Sequence, residues 1–305
     1  MIDFASLFER RLSFPHPTAR QRLDRLIGLD DYKSKLAKVL GLLVNPKGLT
    51  DWGAVHHPGA ELLIDTILHR PPLIILAGDV GTGKTELAES IGDEVARREN
   101  IEIELLPLSL SARGQGKVGQ ITQLISAAFD YTAKEASKLK SAAGTQGAVI
   151  LLVDEADALA QSREDEMHHE DRSGVNAFIR GIDRLSNQSL PAAVIMCTNR
   201  FHAIDPAVKR RAAEMLVFNR PDEKDRRQLL ATRLAGLGFE PADIEAVVCA
   251  TGPRGDNQPG FTYSDLTQRL IPSIVLDAFP ETAIRPARAI ELAQQMTPTA
   301  TFRED

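Results

Sequence analysis

The sequence feature that most constrains the fold is a glycine-rich motif between an apolar segment and a helical one. Residues 78–85 read Gly-Asp-Val-Gly-Thr-Gly-Lys-Thr and match the pattern G-x-x-x-x-G-K-S/T in full. The motif follows the apolar residues 73–77 and opens a helical segment at residues 86–89. In this context the backbone N–H groups of the loop and the N-terminus of the helix form a cradle for phosphate oxygens. The motif therefore predicts a phosphate-binding loop between a strand and a helix.

The two residues after the last glycine indicate that the phosphates belong to a nucleotide bound with Mg²⁺. Lys84 is placed to reach the β- and γ-phosphates, and the Thr85 hydroxyl is placed to ligate Mg²⁺. The alternative is a glycine-rich turn that only caps a helix, and the Lys and Thr in this position argue against it. The residues predicted to hold the nucleotide around the loop are Gly78, Val80, Gly81, Thr82, Gly83, Lys84, Thr85 and Glu86.

Short apolar runs alternate with helical segments as far as residue 221. The apolar runs are residues 73–77, 101–106, 148–153, 192–197 and 215–218. Continuous apolar runs separated by helices are typical of a parallel sheet that is covered on both faces. The sequence therefore predicts an α/β fold for this part of the chain.

The segments before and after the predicted sheet differ in pattern. Residues 45–60 are rich in Pro and Gly and predict a loop. Only helical patterns follow residue 221, and Asp222 is a candidate N-cap for the first of them. We therefore predict three parts, namely a tail or short arm at residues 1–22, an α/β domain at residues 23–221 and a small helical domain at residues 222–305.

Two acidic residues follow the apolar run at residues 148–153. A buried parallel strand that ends in Asp154 and Glu155 places both carboxylates at the edge of the sheet beside the phosphate loop. Asp154 is the candidate for the Mg²⁺ shell, and Glu155 is the candidate general base that polarises the attacking water. Alone, such a strand end indicates only a junction with a loop, whereas after a phosphate loop it predicts a hydrolytic site.

Polar residues later in the chain extend this candidate catalytic set. Asn199 follows the run at residues 192–197 and is a candidate to hydrogen-bond the attacking water or the γ-phosphate; the alternative is a turn-forming Asn. Arg210 and Arg211 lie in a short basic segment, for which a solvated surface is the plain interpretation. In a ring of subunits, an arginine here reaches the neighbour's nucleotide and neutralises charge on its γ-phosphate. The sequence leaves open which of the two arginines does so.

Composition excludes several classes of protein. The chain has 36 Lys and Arg against 42 Asp and Glu, a formal net charge of −6, which argues against binding nucleic acid or membranes through bulk charge. Both cysteines, Cys197 and Cys249, lie in apolar runs, which argues against a disulfide scaffold. The sequence shows neither an apolar stretch near the roughly 18 residues of a membrane helix nor a signal-peptide pattern. We therefore expect a cytoplasmic protein.

These elements, in this order and followed by a helical end, resemble an AAA+ ATPase across residues 23–296. Ile27 and Gly28 resemble the segment that wraps the adenine, and residues 259–266 resemble the lid motif of AAA proteins that lack a sensor-2 arginine. The resemblance implies a P-loop NTPase parallel sheet with strand order 5-1-4-3-2 and a C-terminal helical lid. It also implies a homo-hexameric ring that binds ATP and Mg²⁺ at its subunit interfaces.

Three segments resemble a narrower group, the AAA+ proteins that remodel HORMA domains. Its eukaryotic members are named for the pachytene checkpoint and for a thyroid-receptor interactor. The segments are residues 154–159 with 175–183, residues 197–199 with 204–207, and Pro272 within the long lid helix. The compact length resembles the bacterial relatives in anti-phage operons. The resemblance implies that the partner is a HORMA-domain protein, with a nucleotidyltransferase that makes cyclic oligonucleotides, and that the ATPase disassembles their complex.

Two loops are candidates for contacts in a ring pore. Residues 112–119 contain no aromatic residue, which argues against strong processive threading, and a flexible solvent loop is the alternative. Residues 161–173 contain His168 and His169, which lack a second cluster at ligand spacing. We therefore predict no protein metal site apart from the Mg²⁺ that accompanies ATP. A nucleic-acid motor or clamp loader is the competing function, supported by fold analogy alone.

Overall fold

A computed structural model of the protein describes residues 7–8, 10–110, 120–141, 144–159, 169–255 and 258–301. The chain divides into two units. The first consists of Met1–Asp24, Asp31–Ala77 and Thr85–Val217, and the second consists of Arg25–Asp30, Gly78–Lys84 and Phe218–Asp305. The phosphate loop therefore groups with the helical C-terminal part, which no pattern in the sequence indicated. The domain boundaries at residues 22 and 221 stay a prediction.

A six-stranded sheet runs through the first unit, with its order across the sheet β1-β3-β4-β5-β2-β6. The strands are β1 (Leu12–Phe14), β2 (Leu73–Gly78), β3 (Glu102–Ser109), β4 (Gly147–Asp154), β5 (Ala192–Thr198) and β6 (Ala212–Phe218). The neighbours β3 and β4, β4 and β5, and β5 and β2 are parallel. When β2 is counted as the first of the five strands from β2 to β6, their order is 5-1-4-3-2. The predicted AAA+ sheet order is confirmed.

The central strands are buried because side chains cover both faces of the sheet. Every residue of β5 is buried. In β4 every residue is buried except the last, Asp154, which is partly exposed. On one face, Leu151 and Val194 belong to a cluster that includes Phe129 and Phe178, whose rings meet edge to face at 5.5 Å. Each large apolar side chain buried in this way contributes about 1.5–3 kcal/mol. The rigid sheet fixes where the polar residues at its strand ends lie.

The N-terminal segment adds an edge strand that the sequence did not indicate. β1 pairs antiparallel with β3, and Phe14 lies opposite Ile103. Phe14 is buried over Gly92, where an added Cβ would lie 2.5 Å from the ring. The interpretation of residues 1–22 as a tail or short arm therefore does not describe Leu12–Phe14. A three-residue strand is too short to show a period, and its partner lies about 90 residues away in the chain.

A helix over Lys47–His56 replaces most of the loop predicted at residues 45–60, so that prediction was wrong for these residues. In the segment before β2, Lys47–His56 and Glu61–Leu68 are both helical. Gly53 acts as a packing residue here, since a Cβ at this position would lie 1.9 Å from Ile64 Cδ1. The helices before residue 218 are α1 (Pro17–Asp24), α2 (Asp30–Val44), α3 (Lys47–His56), α4 (Glu61–Leu68), α5 (Lys84–Glu99), α6 (Gln120–Leu139), α7 (His169–Asn187) and α8 (Pro206–Lys209).

Helices make up the second unit after residue 218. They are α9 (Glu223–Arg233), α10 (Pro241–Ala250), a π-helical turn (Asp265–Leu270), α11 (Ile271–Ala278) and α12 (Pro286–Gln295). Asp222 accepts the Asp225 N–H at 2.8 Å, which confirms the predicted N-cap. Pro272 has no N–H to continue the helical ladder, and the turn before it is π-helical. Within the described residues, no helix combines the length and hydropathy needed to cross a membrane.

Candidate active site

The phosphate loop depends on glycine at two positions in the second unit. Gly78 and Gly81 have φ of 142° and 75°, in the region that side chains disfavour. A Cβ at Gly78 would lie 2.2 Å from the Phe218 carbonyl oxygen, and one at Gly81 would lie 2.8 Å from Thr262 Oγ1. The Ser264 N–H donates to the Gly81 carbonyl at 3.0 Å. The lid motif and the phosphate loop therefore pack closely enough to exclude a methyl group.

Lys84 holds its ammonium group within the phosphate loop. Its Nζ donates to the carbonyls of Gly78 and Asp79, both at 2.8 Å, and its side chain is buried. The buried Thr82 hydroxyl donates to the same Asp79 carbonyl at 2.8 Å. These bonds close the loop around a positive charge, which is the arrangement that binds phosphate.

Thr85 and Asp154 meet in the first unit. The Thr85 hydroxyl donates to Asp154 Oδ1 at 3.2 Å, where α5 begins and β4 ends. Burial raises the pKa of the Asp154 carboxyl, and hydrogen bonds from the Glu155 N–H and the Thr85 hydroxyl only partly oppose that rise. A hydroxyl beside a carboxylate fits Mg²⁺, which is held by one or two protein oxygens and by substrate phosphates.

Glu155 follows the end of β4 in an unusual backbone conformation. Its φ is 51°, in the left-handed region, which costs a residue with a side chain about 1–3 kcal/mol. Its N–H donates to Asp154 Oδ1 at 2.9 Å, and its side chain is exposed. The strained turn places Asp154 at the strand end and leaves the next carboxylate accessible to solvent water, as a general base requires.

Asn199 is held by an acidic residue that the sequence reasoning did not single out. Asp157 Oδ1 accepts the Asn199 N–H at 2.8 Å and the Thr198 hydroxyl at 2.6 Å, and its Oδ2 accepts Asn199 Nδ2 at 3.2 Å. Asp157 therefore fixes both the backbone and the amide of Asn199. The signal that indicates Asp157 is its position two residues after Glu155, at the same strand end.

We expect Asp157→Ala to lower the turnover number for ATP by about tenfold or more, because the partly buried donors of Thr198 and Asn199 lose this acceptor. Nucleotide affinity should change less than about threefold, since the residue contacts no part of the phosphate loop among the described hydrogen bonds. Steady-state hydrolysis and binding of a fluorescent ADP analogue measure the two quantities. The matched control is Asp130→Ala, which removes an exposed carboxylate that pairs with Arg184; equal turnover in both variants would refute the role of Asp157.

The two candidate finger arginines have different surroundings. Arg211 forms a two-point ion pair with Asp183, with Nε at 2.7 Å and Nη2 at 3.0 Å, and its Nη1 donates to the Ala207 carbonyl at 3.1 Å. The hydrogen bond to Asp183 raises the pKa of Arg211. Arg210 is exposed, and its Nε donates to the Pro206 carbonyl at 3.4 Å. Within one chain the guanidinium of Arg211 is held by Asp183 and the Ala207 carbonyl, whereas that of Arg210 is exposed to solvent.

Three further residues predicted to contact the nucleotide are Ile27, Gly28 and Glu86. Gly28 has φ of 80°, and its carbonyl accepts the Tyr263 hydroxyl at 3.2 Å, so Gly28 and the lid motif meet within the second unit. Glu86 accepts Arg22 Nε at 2.6 Å and Nη2 at 2.7 Å. Its carboxylate is thus held by α1, and a role for Glu86 in nucleotide binding stays a prediction.

Other predicted features fall partly outside the described residues. The structure does not describe the first candidate pore loop, residues 112–119. Of the second, it does not describe residues 161–168, which include His168. Within the part of the chain that the structure describes, no group of three or more His, Cys, Asp or Glu side chains is arranged to hold a metal ion.

Known proteins resemble this chain over most of its length. The model of the AAA family, ATPases associated with various cellular activities, matches residues 74–220. CD-NTase-associated protein 6 of Escherichia coli strain MS 115-1 is 61% identical over 298 residues, which are 97% of this chain and 96% of that protein. The chain belongs to the AAA family of ATPases. Its match to this relative extends well beyond the ATPase core, into the helices on both sides.

Two solved structures resemble this AAA ATPase along nearly its whole length. A chain in the structure of the E. coli MS115-1 HORMA:CdnC:Trip13 complex is 59% identical, with a TM-score of 0.92 and 99% of both chains covered. The structure of Rhizobiales Trip13 is 57% identical, with a TM-score of 0.77, and covers 96% of this chain and 100% of that one. The likeness includes the lid, where the phosphate loop is held.

Proposed function

We propose that this chain hydrolyses ATP at the subunit interfaces of a homo-hexameric ring and uses the energy to remodel a HORMA-domain protein. The substrate is a complex of the HORMA protein with a nucleotidyltransferase that makes a cyclic-nucleotide anti-phage signal. Disassembly of the complex switches the signal off. The observation that carries the proposal is the likeness over 99% of the chain to a protein solved together with HORMA and CdnC.

ATP binding is assigned to the groups around the phosphate loop. The Lys84 ammonium and the loop N–H groups neutralise the β- and γ-phosphates. The Thr85 hydroxyl and the Asp154 carboxylate, with Oγ1 and Oδ1 3.2 Å apart, would hold Mg²⁺, which would neutralise phosphate charge when bound. Ile27 and Gly28 take the adenine.

Hydrolysis is assigned to Glu155 and Asn199. The exposed Glu155 carboxylate accepts a proton from the attacking water and so increases its nucleophilicity. The Asn199 side chain, held by Asp157, orients that water or the γ-phosphate. Because Nδ2 of Asn199 donates to Asp157, the amide is fixed in orientation before the substrate arrives.

Arg210 is the finger that reaches the neighbouring subunit. A finger must be able to leave its own subunit's contacts, and Arg211 has a two-point carboxylate partner and a carbonyl acceptor. Arg210 is exposed, with one long bond to a carbonyl. We therefore assign charge neutralisation on the γ-phosphate to Arg210 and the packing of α8 against α7 to Arg211.

Capture of the substrate tests this proposal. We would immobilise Glu155→Gln protein with ATP, pass over it a native lysate of cells that carry the gene, and identify retained proteins by mass spectrometry. The proposal predicts retention of a HORMA protein, alone or with a nucleotidyltransferase. The matched control is Lys84→Ala in the same background, which lacks the phosphate-binding ammonium and should retain neither.

The same measurement separates the competing function. Retention of DNA or replication proteins, together with stimulation of hydrolysis by added single- or double-stranded DNA, would favour a nucleic-acid motor or clamp loader. The absence of both, with a HORMA protein retained, favours the remodeller. In either case ATP hydrolysis itself is measured separately, so the ATPase assignment does not depend on the partner.

A further inference from the structure

An acidic residue stands within the phosphate loop itself. Asp79 is the second residue of the motif, and its Oδ1 accepts the Val80 N–H at 2.9 Å. Its side chain is only 17% exposed, so water screens its charge poorly. A carboxylate beside a phosphate site opposes the binding of an anionic ligand unless a positive charge neutralises it.

Arg220 is the group that neutralises Asp79. Its Nε and Nη2 both donate to Asp79 Oδ2, at 2.8 and 2.5 Å. The guanidinium is 13% exposed, so both charges of the pair are largely removed from water. The pair lies entirely within the second unit, and its two residues are 141 positions apart in the sequence.

The remaining nitrogen of Arg220 binds two other parts of the second unit. Nη1 donates to the carbonyls of Gly260, in the lid motif, and Thr299, in the C-terminal segment, both at 2.8 Å. Thr299 is held a second time, because its N–H and hydroxyl donate to the buried Asp265 at 3.0 and 2.7 Å. One guanidinium therefore joins the phosphate loop, the lid motif and the segment around Thr299.

We propose that Arg220 is a positioning residue of the nucleotide site, which cancels the charge of Asp79 and ties the phosphate loop to the C-terminal segment at Thr299. The proposal rests on the nucleotide site assigned above. Its consequence is that nucleotide affinity and the order of the C-terminal segment depend on the same side chain. Loss of Arg220 removes the guanidinium that neutralises Asp79 and removes the donor to Gly260 and Thr299. Loss of the Asp79 charge leaves both carbonyl contacts intact.

A double-mutant cycle on these two residues tests the electrostatic part. Binding of a fluorescent ADP analogue is measured for the full-length wild type, Arg220→Met, Asp79→Asn and the double variant. We expect Arg220→Met to weaken binding at least about tenfold, Asp79→Asn to change it less than about threefold, and the double variant to bind within about threefold of Asp79→Asn. The proposal is overturned if Arg220→Met binds like the wild type, or if its loss is undiminished in the Asp79→Asn background.

Hydrogen exchange without nucleotide tests the structural part and does not depend on activity. Amides of residues 296–301 should exchange at least about tenfold faster in Arg220→Met, and at the wild-type rate in Asp79→Asn. Unchanged exchange in Arg220→Met would overturn the tie to Thr299. Arg220→Lys, which keeps the charge without the forked geometry, should bind the analogue within about threefold of wild type but exchange faster in this segment. This variant preserves the test if Arg220→Met does not fold.

The controls separate this proposal from the proposed function. If the wild type does not bind the ADP analogue, the nucleotide site itself is wrongly assigned. If the wild type binds and the Arg220 variants bind equally well, only the role of Arg220 fails.

Discussion

Glu155→Gln protein is expected to bind ATP with near wild-type affinity and to hydrolyse it about 10²- to 10⁴-fold more slowly. The amide keeps the size of the side chain but cannot accept a proton from the attacking water. The Lys84 bonds to the loop carbonyls and the Thr85–Asp154 bond are made by other side chains, so we expect substrate binding to survive. Single-turnover hydrolysis and binding of a fluorescent ATP analogue, measured on the same preparation, separate the two effects.

The matched control is Glu281→Gln, which removes an exposed carboxylate from the second unit. It should hydrolyse ATP at the wild-type rate. Wild-type turnover in Glu155→Gln would contradict the assignment of the general base, and an equal loss of binding would show that the variant disturbs the site as a whole.

Arg210→Ala should lower the rate of hydrolysis about 10³-fold or more, which is the effect of removing an arginine finger. Arg211→Ala should leave hydrolysis within about threefold of wild type. It removes a half-exposed ion pair with Asp183, which contributes about 0–1 kcal/mol to the stability of the first unit after screening by water. Steady-state hydrolysis and thermal unfolding of both variants measure this contrast.

A mixing experiment shows whether Arg210 acts on a neighbouring subunit. Arg210→Ala and Glu155→Gln proteins are each inactive alone, for different reasons. In a mixed ring, the Arg210→Ala subunits still carry Glu155 and the Glu155→Gln subunits still carry Arg210. Where two such subunits adjoin in one of their two possible orders, they form an interface in which both residues are intact. Mixing should therefore restore hydrolysis to at least about a tenth of the wild-type rate. Strictly additive, inactive mixtures would place Arg210 and Glu155 in the same subunit's site and contradict the finger assignment.

Much of the fold is visible in the sequence because its strands are continuous apolar runs with helices between them. The strand order followed from the resemblance carried by residues 78–85, 154–155 and 197–199, and the structure has that order. Helix ends were predictable where a local signal existed, as at Asp222. These features depend on residues that lie close together in the chain, and local patterns are what one sequence shows.

The features that the sequence did not reveal depend on pairs of residues far apart in the chain. Asp157 and Asn199 are 42 residues apart, Asp183 and Arg211 are 28 apart, and Asp79 and Arg220 are 141 apart. Nothing adjacent in the sequence indicates that any of these residues has its partner. Gly53 contributed to the wrong loop prediction for a related reason. A glycine in a loop and a glycine that packs against Ile64 look the same in sequence. Only the fold brings such pairs together.

Dissociation of the captured partner complex is the direct test of ATP-driven remodelling. The HORMA–nucleotidyltransferase complex retained by Glu155→Gln protein is purified and incubated with wild-type protein and ATP. Size-exclusion chromatography then measures how much HORMA protein remains bound to the nucleotidyltransferase. We expect separation of the two with wild-type protein and ATP, and an intact complex with ADP or with Glu155→Gln protein. A complex that stays intact while the wild type hydrolyses ATP would contradict the remodelling activity.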